Sequence, residues 1–266
     1  MARIAWLTDI HLNFVPLLEI AAFAAQIRAQ FPDAILISGD IGEAPSLVAY
    51  LRLLDELLPM PMYFVLGNHD FYGGSIEAVR AQVTALSQEG HFLRWLSAGG
   101  VVELAPNTAL IGHDGWADGR LGDFANSDVL LSDYVVIDEL KRLPLDELLT
   151  RLNRLGDEAA AYFREWLPLA CKSHRNVIVL THVPPFRDAC WYDGEISDDN
   201  FLPHFASLST GEALRAVMEA HPDNQCTVLC GHTHGGGEVQ ILPNLRVLTG
   251  SAEYGICKIE SVFEVH

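Results

Sequence analysis

Basic residues are scarce in this chain, cysteines are few, and no apolar run is long enough to span a bilayer. Lysine and arginine number 17 against 35 aspartates and glutamates, a formal charge of −18. That balance offers no phosphate-neutralising surface and argues against DNA or RNA as the main partner. A small phosphorylated substrate stays open, because bound cations reverse the local sign of a site. The five cysteines (Cys171, Cys190, Cys226, Cys230 and Cys257) are odd in number and include no CxxC pair. Buried free thiols in a reducing compartment are therefore expected rather than a disulfide framework or a zinc knuckle. Before Asp9 the chain has one basic residue, Arg3, and too few apolar residues for a signal peptide, so the expected location is the cytoplasm, away from membranes.

What the chain does have is apolar bulk. Half of its 266 residues are hydrophobic, which suits one large α/β domain over 1–266 with a sizeable core. Ile4 to Thr8, Ala34 to Ser38 and Met62 to Leu66 read as buried strands. Between and after them lie helical runs, Pro16 to Gln30, Ser46 to Leu58 and Ser75 to Gln88. In the first, Leu17, Ile20, Ala21, Ala24 and Ile27 share a face; in the third, Ser75 is the expected N-cap. This βαβαβ alternation calls for a parallel or mixed sheet with helices on its outer face. Val101 to Leu104 and Thr108 to Gly112 then read as neighbouring strands. A Gly- and Asp-rich loop follows, and Leu130 to Ser173 is mostly helical in pattern. The segment at about 114–173 is expected to be a helical cap insertion that shapes a pocket. Asn176 to Thr181 and Thr227 to Cys230 are further strands, separated by the loop Pro184 to Pro203 and a helix over Thr210 to Ala220. The tail, Gly237 to His266, alternates as an antiparallel completion of a second sheet.

Polar fragments follow the apolar runs: Asp9-Ile10-His11, Gly39-Asp40, Gly67-Asn68-His69-Asp70, His182, and Gly231-His232-Thr233-His234. Strand ends are where an α/β fold places its chemistry. Asp9 and His11, two residues apart in extended chain, point to the same side and can grip one cation. Asp40 has two carboxylate oxygens and can bridge two cations, while Asn68 offers a neutral amide oxygen. His182, His232 and His234 add imidazole nitrogens, the commonest metal ligands. Each fragment alone is common; their joint occurrence in order points to a pair of metal ions, a device suited to attacking phosphate esters.

These fragments resemble the five blocks of the calcineurin-like metallophosphoesterase superfamily: DxH, GDxxD or GDxxE (Gly39-Asp40-Ile41-Gly42-Glu43 here), GNH followed by an acid, an isolated His, and GHxH. They span residues 9 to 234. The resemblance implies a four-layer α/β/β/α sandwich of two mixed sheets. It implies one metal held by Asp9, His11, Asp40 and His234, and a second by Asp40, Asn68, His182 and His232. His69 takes the family position that contacts phosphate and protonates the leaving group, with Asp70 orienting His69. The implied cofactors are two divalent or mixed-valence ions, Mn, Fe, Zn or Co by the O/N ligand set. The implied reaction is attack on phosphorus by a hydroxide bridging two ions about 3.5–4 Å apart.

Protein Ser/Thr phosphatases of that superfamily carry arginines after the second block and before the third; here Ile41-Gly42-Glu43-Ala44 and Leu66 stand there. Lipid A-type pyrophosphatases replace the third-block histidine, which is kept here as His69. The pattern is closer to the group containing cyclic-nucleotide and other small phosphodiesterases, with a small phosphodiester or phosphomonoester as the substrate. The contrasting reading is a non-catalytic protein-binding scaffold on the same fold, against which stands the retention of every ligand. His113, Asp114, Trp116, Asp118 and Arg120 are weighed evenly between pocket lining and a surface loop, while Arg187, Trp191 and Tyr192 are read first as partly buried against the cap and second as a clamp for phosphate and a base.

Overall fold

Ile4, Ala5, Trp6 and Leu7 are buried on both faces of their strand, as a strand covered by helices on one side and by a second sheet on the other must be. The computed structural model describes residues 1–266. Its first sheet runs β1 (Ala2–Leu7), β2 (Ala34–Ser38), β3 (Met62–Val65) and β4 (Leu93–Trp95), neighbours in that order and all parallel. Helices α1 (Leu17–Ala29), α2 (Ala44–Leu57) and α3 (Ile76–Glu89) return over one face. Their stripes, including Ile20, Phe23 and Ile27, then Leu47, Leu51 and Leu54, then Val79, Val83 and Leu86, bury that face. The Ser75 hydroxyl caps α3 by accepting from the Ala78 amide at 3.3 Å, and Glu139 accepts from the Ile76 amide beside it.

The second sheet contains β5 (Val102–Ala105), β6 (Thr108–Gly112), β7 (Asn176–Leu180), β10 (Gln225–Cys230), β11 (Gly237–Leu242) and β12 (Leu245–Thr249). Its order is β11-β12-β10-β7-β6-β5, antiparallel only at its two edges. Between β6 and β7 lie the short α4 (Asp133–Val136) and the long α5 (Leu145–Ser173). Between β7 and β10 lie a small hairpin, β8 (Trp191–Tyr192) and β9 (Glu195–Ile196), then α6 (Leu202–Phe205) and α7 (Leu208–Ala220). The last strand is β13 (Ser261–Val265). The two sheets meet through Ile4, Trp6, Leu36 and Val65 on one side and Leu110, Ile178, Leu180 and Leu229 on the other. Each fully buried large apolar side chain there contributes about 1.5–3 kcal/mol relative to exposure, before the entropy of ordering the chain. The outcome is a four-layer α/β/β/α sandwich with mixed sheets. No helix is long and apolar enough to cross a membrane.

Three details differ from what periodicity predicts. The buried face of α1 is Ile20, Phe23, Ala24 and Ile27, while Leu17 is 69% exposed. That helix is apolar almost all round, so spacing alone does not choose its inner face. The tail does not wholly complete the second sheet: β12 is parallel to β10, and β13 crosses over to pair antiparallel with β1, Ala2 opposite Val265. Alternation specifies a strand but not the sheet edge it joins. Within residues 114–173, α5 packs Ala160, Phe163 and Leu167 into the core beneath the second sheet, as a layer helix. The part of this segment that reaches the strand ends is the stretch from Gly115 to Tyr134, including Trp116 and Asp133.

Candidate metal centre

The polar fragments all lie past the C-terminal ends of parallel strands: Asp9 and His11 after β1, Asp40 after β2, Asn68 after β3, His182 after β7, and His232 and His234 after β10. Main-chain bonds continue the pairing into these turns, with the Asp9 amide donating to the Gly39 carbonyl at 3.1 Å and the Gly231 amide to the His182 carbonyl at 2.9 Å. The backbone there is strained. Of eight non-glycine residues with positive φ, five are Asp9, His11, Asp40, His232 and His234. Left-handed non-glycine residues cost on the order of 1–3 kcal/mol each and persist where the surroundings over-determine them. Gly39, at φ +98°, shows how close the packing is: a Cβ there would lie 2.6 Å from His182 Nδ1.

Two clusters of acceptor atoms form. In the first, the ligand atoms of Asp9, His11, Asp40 and His234 all lie within 4.8 Å of one another, and the Nε2 atoms of His11 and His234 face each other at 3.1 Å. In the second, Asn68 Oδ1 lies 3.1 Å from His182 Nε2 and 2.9 Å from His232 Nδ1. The other ring nitrogens are committed: His182 Nδ1–H donates to the Ser38 carbonyl at 2.8 Å and His232 Nε2–H to the His204 carbonyl at 3.0 Å. That fixes both tautomers and leaves lone pairs on the nitrogens that face Asn68. Three acceptors therefore converge with no proton among them, an arrangement that asks for a cation. Asp40 stands between the clusters. Its Oδ2 lies 3.7 Å from His11 Nε2 and its Oδ1 3.4 Å from His182 Nε2, with the His69 amide also donating to Oδ1 at 2.9 Å.

Charge supports the same reading. Burial pushes Asp9 up to about 7 and Asp40 well above the ordinary carboxylate range, the latter aided by Asp9 and Asp70. Burial, with the neighbouring imidazoles, lowers His11 to about 2, His69 to about 3 and His234 to about 4, and lowers His182 as well, while burial by itself lowers His232. The imidazoles are thus neutral and free to donate lone pairs. No lysine or arginine pairs with Asp9 or Asp40. The residues present fit two divalent cations of the kind that take oxygen and nitrogen ligands.

His69 sits at the edge of this cage. Its ring stacks on Tyr72, with centroids 4.2 Å apart, and its Nε2 is 3.5 Å from the Tyr254 hydroxyl. Asp70 does not orient His69, contrary to the implied pairing. Its Oδ1 accepts from the amides of Ile41 and Gly42 at 2.9 and 2.8 Å, and its Oδ2 from the Gly67 amide at 2.8 Å. Both oxygens are taken by backbone, so this carboxylate ties the Asp40 turn to the Asn68 turn, and His69 Nδ1 has no partner.

Three other residues belong to the site without standing in any of these fragments as a ligand. Asp133 accepts from the Asn68 Nδ2 at 2.9 Å and from the Tyr72 hydroxyl at 2.6 Å, and the Tyr72 oxygen lies 3.1 Å from Asn68 Nδ2. Tyr254 packs against His11, His69 and His234 and against Phe14, forming an aromatic rim. Tyr72 lies three residues past His69, Asp133 opens the single-turn α4, and Tyr254 sits in the turn between Glu253 and Ile256, so none belongs to a periodic run. Of the residues weighed evenly, Trp116 lines the small cavity beside Asn68 and His182. Asp118 instead accepts from the Ser209 amide at 2.9 Å near the start of α7 and pairs with Arg120. Arg187 pairs with Asp199 at 2.8 Å, and Tyr192 stacks on Phe201. All five cysteines are free and four are buried.

The fold is similar to that of phosphopantetheinyl hydrolase from Mycobacterium tuberculosis, at TM-score 0.67 and 14% identity over 94% of this chain and 89% of that one. It is also similar to a dimetal phosphatase from Danio rerio, at TM-score 0.57 and 16% identity over 98% of this chain and 88% of that one. No curated protein sequence matches significantly. The family model for calcineurin-like phosphoesterases matches residues 2–236, a span that holds every one of the clustered ligands, and the chain belongs to that family.

Proposed function

We propose that the protein is a dinuclear metal-dependent phosphoesterase that hydrolyses a small phosphodiester, with His69 at the leaving group. The observation that carries this is the Asp40 carboxylate, which divides its two oxygens between two clusters of side chains of metal-ligating type. Asp9, His11, Asp40 and His234 would hold one divalent ion and Asp40, Asn68, His182 and His232 a second, which would supply activation of water and charge compensation for a phosphate. The chain's own part is to hold those ligands rigid and to place His69. In its neutral form His69 offers an N–H to a phosphate or leaving-group oxygen, and an arriving anion raises its proton affinity. No lysine or arginine hydrogen-bonds or ion-pairs with the site's carboxylates, and Lys258, the cation whose charge reaches Asp9, is itself paired with Glu260 at 2.8 Å, so little beyond the ions and imidazoles meets a second negative charge. That favours a monoanionic diester over a dianionic monoester, and the rim of Phe14 and Tyr254 suits an apolar ester group. The same reading includes a reducing, cytoplasmic setting, supported by the free thiols.

The test is hydrolysis of bis-p-nitrophenyl phosphate with added Mn, against p-nitrophenyl phosphate, cyclic nucleotides and a phosphopantetheinylated substrate, the last suggested by the name of the Mycobacterium relative. Diester turnover is expected to exceed monoester turnover, His69→Ala to lower kcat by about 10²–10⁴-fold, and Asp40→Asn to abolish turnover. Full activity in Asp40→Asn overturns the proposal.

A further inference from the structure

The Asn68 side chain has one end that only accepts and another that only donates. Its two ends face opposite demands. On one side stand the lone pairs of His182 Nε2 and His232 Nδ1, at 3.1 and 2.9 Å. On the other stand the Asp133 carboxylate at 2.9 Å and the Tyr72 hydroxyl at 3.1 Å. Without a cation, the imidazoles by themselves would favour the reverse orientation, with the NH2 group donating to both rings. That orientation fills the second metal position with hydrogen bonds and turns the amide oxygen away from it. The carboxylate opposes it, because the turned oxygen would face Asp133 Oδ1, an acceptor already taking the Tyr72 proton at 2.6 Å.

We propose that Asp133, with Tyr72, selects the orientation of the Asn68 amide and thereby keeps the second metal position open. The inference rests on the two-metal reading above. Asp133 is a positioning residue, acting through Asn68. It is 3% exposed, at the start of α4, and reaches the strand ends from the segment between β6 and β7. Tyr72 serves twice, since its ring stacks on His69 while its hydroxyl donates to Asp133. One acidic side chain from the segment thus governs a ligand on the core fold, without entering the cage itself.

The isosteric change Asp133→Asn separates this role from a structural one. An asparagine there can accept from, or donate to, either end of Asn68, so selection is lost while shape is kept. Metal-stripped wild type, Asp133→Asn and Tyr72→Phe are titrated with Mn by calorimetry. Spin-coupled Mn pairs are followed by electron paramagnetic resonance, and the metal-free thermal midpoint is recorded for each. Wild type is expected to take two ions. Asp133→Asn should keep one at wild-type affinity and bind the other about 10–100-fold more weakly, with loss of the coupled signal. Its metal-free midpoint should stay or rise, because the turned amide satisfies both rings. Tyr72→Phe, which keeps the carboxylate, should lose less. Two ions bound by Asp133→Asn at wild-type affinity overturn the inference alone. So does a metal-free midpoint that falls in step with the affinity. A wild type that takes no second ion overturns the two-metal reading and this inference with it.

Discussion

At the scale of single residues, position relative to backbone decides what a carboxylate does. Asp40 and Asp70 both follow a strand and a turn, yet Asp40 faces imidazoles and Asp70 faces three amides. Burial raises Asp70 and the three amide bonds lower it, and the net result is a carboxyl pushed up to about 7; with both oxygens held by backbone amides it is an anchor rather than an acid-base partner. Asp70→Asn puts an NH2 where an amide N–H already points, and a buried donor left unpaired costs about 1–3 kcal/mol. A loss of that size is expected in denaturant unfolding, with the pH limbs of kcat/KM unmoved. A shifted limb would return Asp70 to the side of His69.

At the scale of elements, the ligands were legible because each follows a buried β-branched run, as Ile35-Leu36-Ile37 precedes Gly39-Asp40 and Val177 to Leu180 precedes His182. A continuous apolar run ends abruptly at a strand terminus, and a polar residue there has few structural reasons to exist. Asp133 was hidden because it opens a helix of a single turn, too short to show a period, and its partner Asn68 is 65 residues away. The inner face of α1 was hidden by apolar residues on its outer face too, and the destination of β13 by the sameness of alternating strands. The turns themselves make a prediction. Gly39→Ala adds a Cβ against His182 Nδ1 at a φ of +98°, so it should displace that ring from the Ser38 carbonyl. The expected outcome is a destabilisation of about 1–3 kcal/mol, with weakened Mn binding in calorimetry. Unchanged binding would mean that the turn yields without moving the histidine.

At the scale of the whole molecule, a buried cage of carboxylates and neutral imidazoles couples folding to metal and to protons. An ion bound only by the folded chain stabilises it by about 2.7 kcal/mol at a hundred times its Kd. Saturating Mn should therefore raise the thermal midpoint by roughly 5–10 °C, read by calorimetric scan with and without chelator. No rise would mean no ion is held. The sign with pH follows from the shifts. Asp9, pushed up to about 7, and Asp40, pushed well above the ordinary carboxylate range, carry protons in the metal-free chain that must leave on binding, whereas the depressed histidines carry none. Mn affinity should thus fall by about tenfold or more for each unit of pH below 7. Titrations at pH 6 and 8 in two buffers of different ionisation heat should show proton release. Equal affinity at both would place the carboxylates in water.

The pairing of Ala2 with Val265 also sets an order of events. The strand that leads into Asp9 and His11 is synthesised early, but its outer neighbour arrives long afterwards, so one flank of that strand stays unzipped through most of translation. Assembly of the cation cage is consequently a late step. Clipping Ser261–Val265 should then leave the helices standing while the cage comes loose from its hinge.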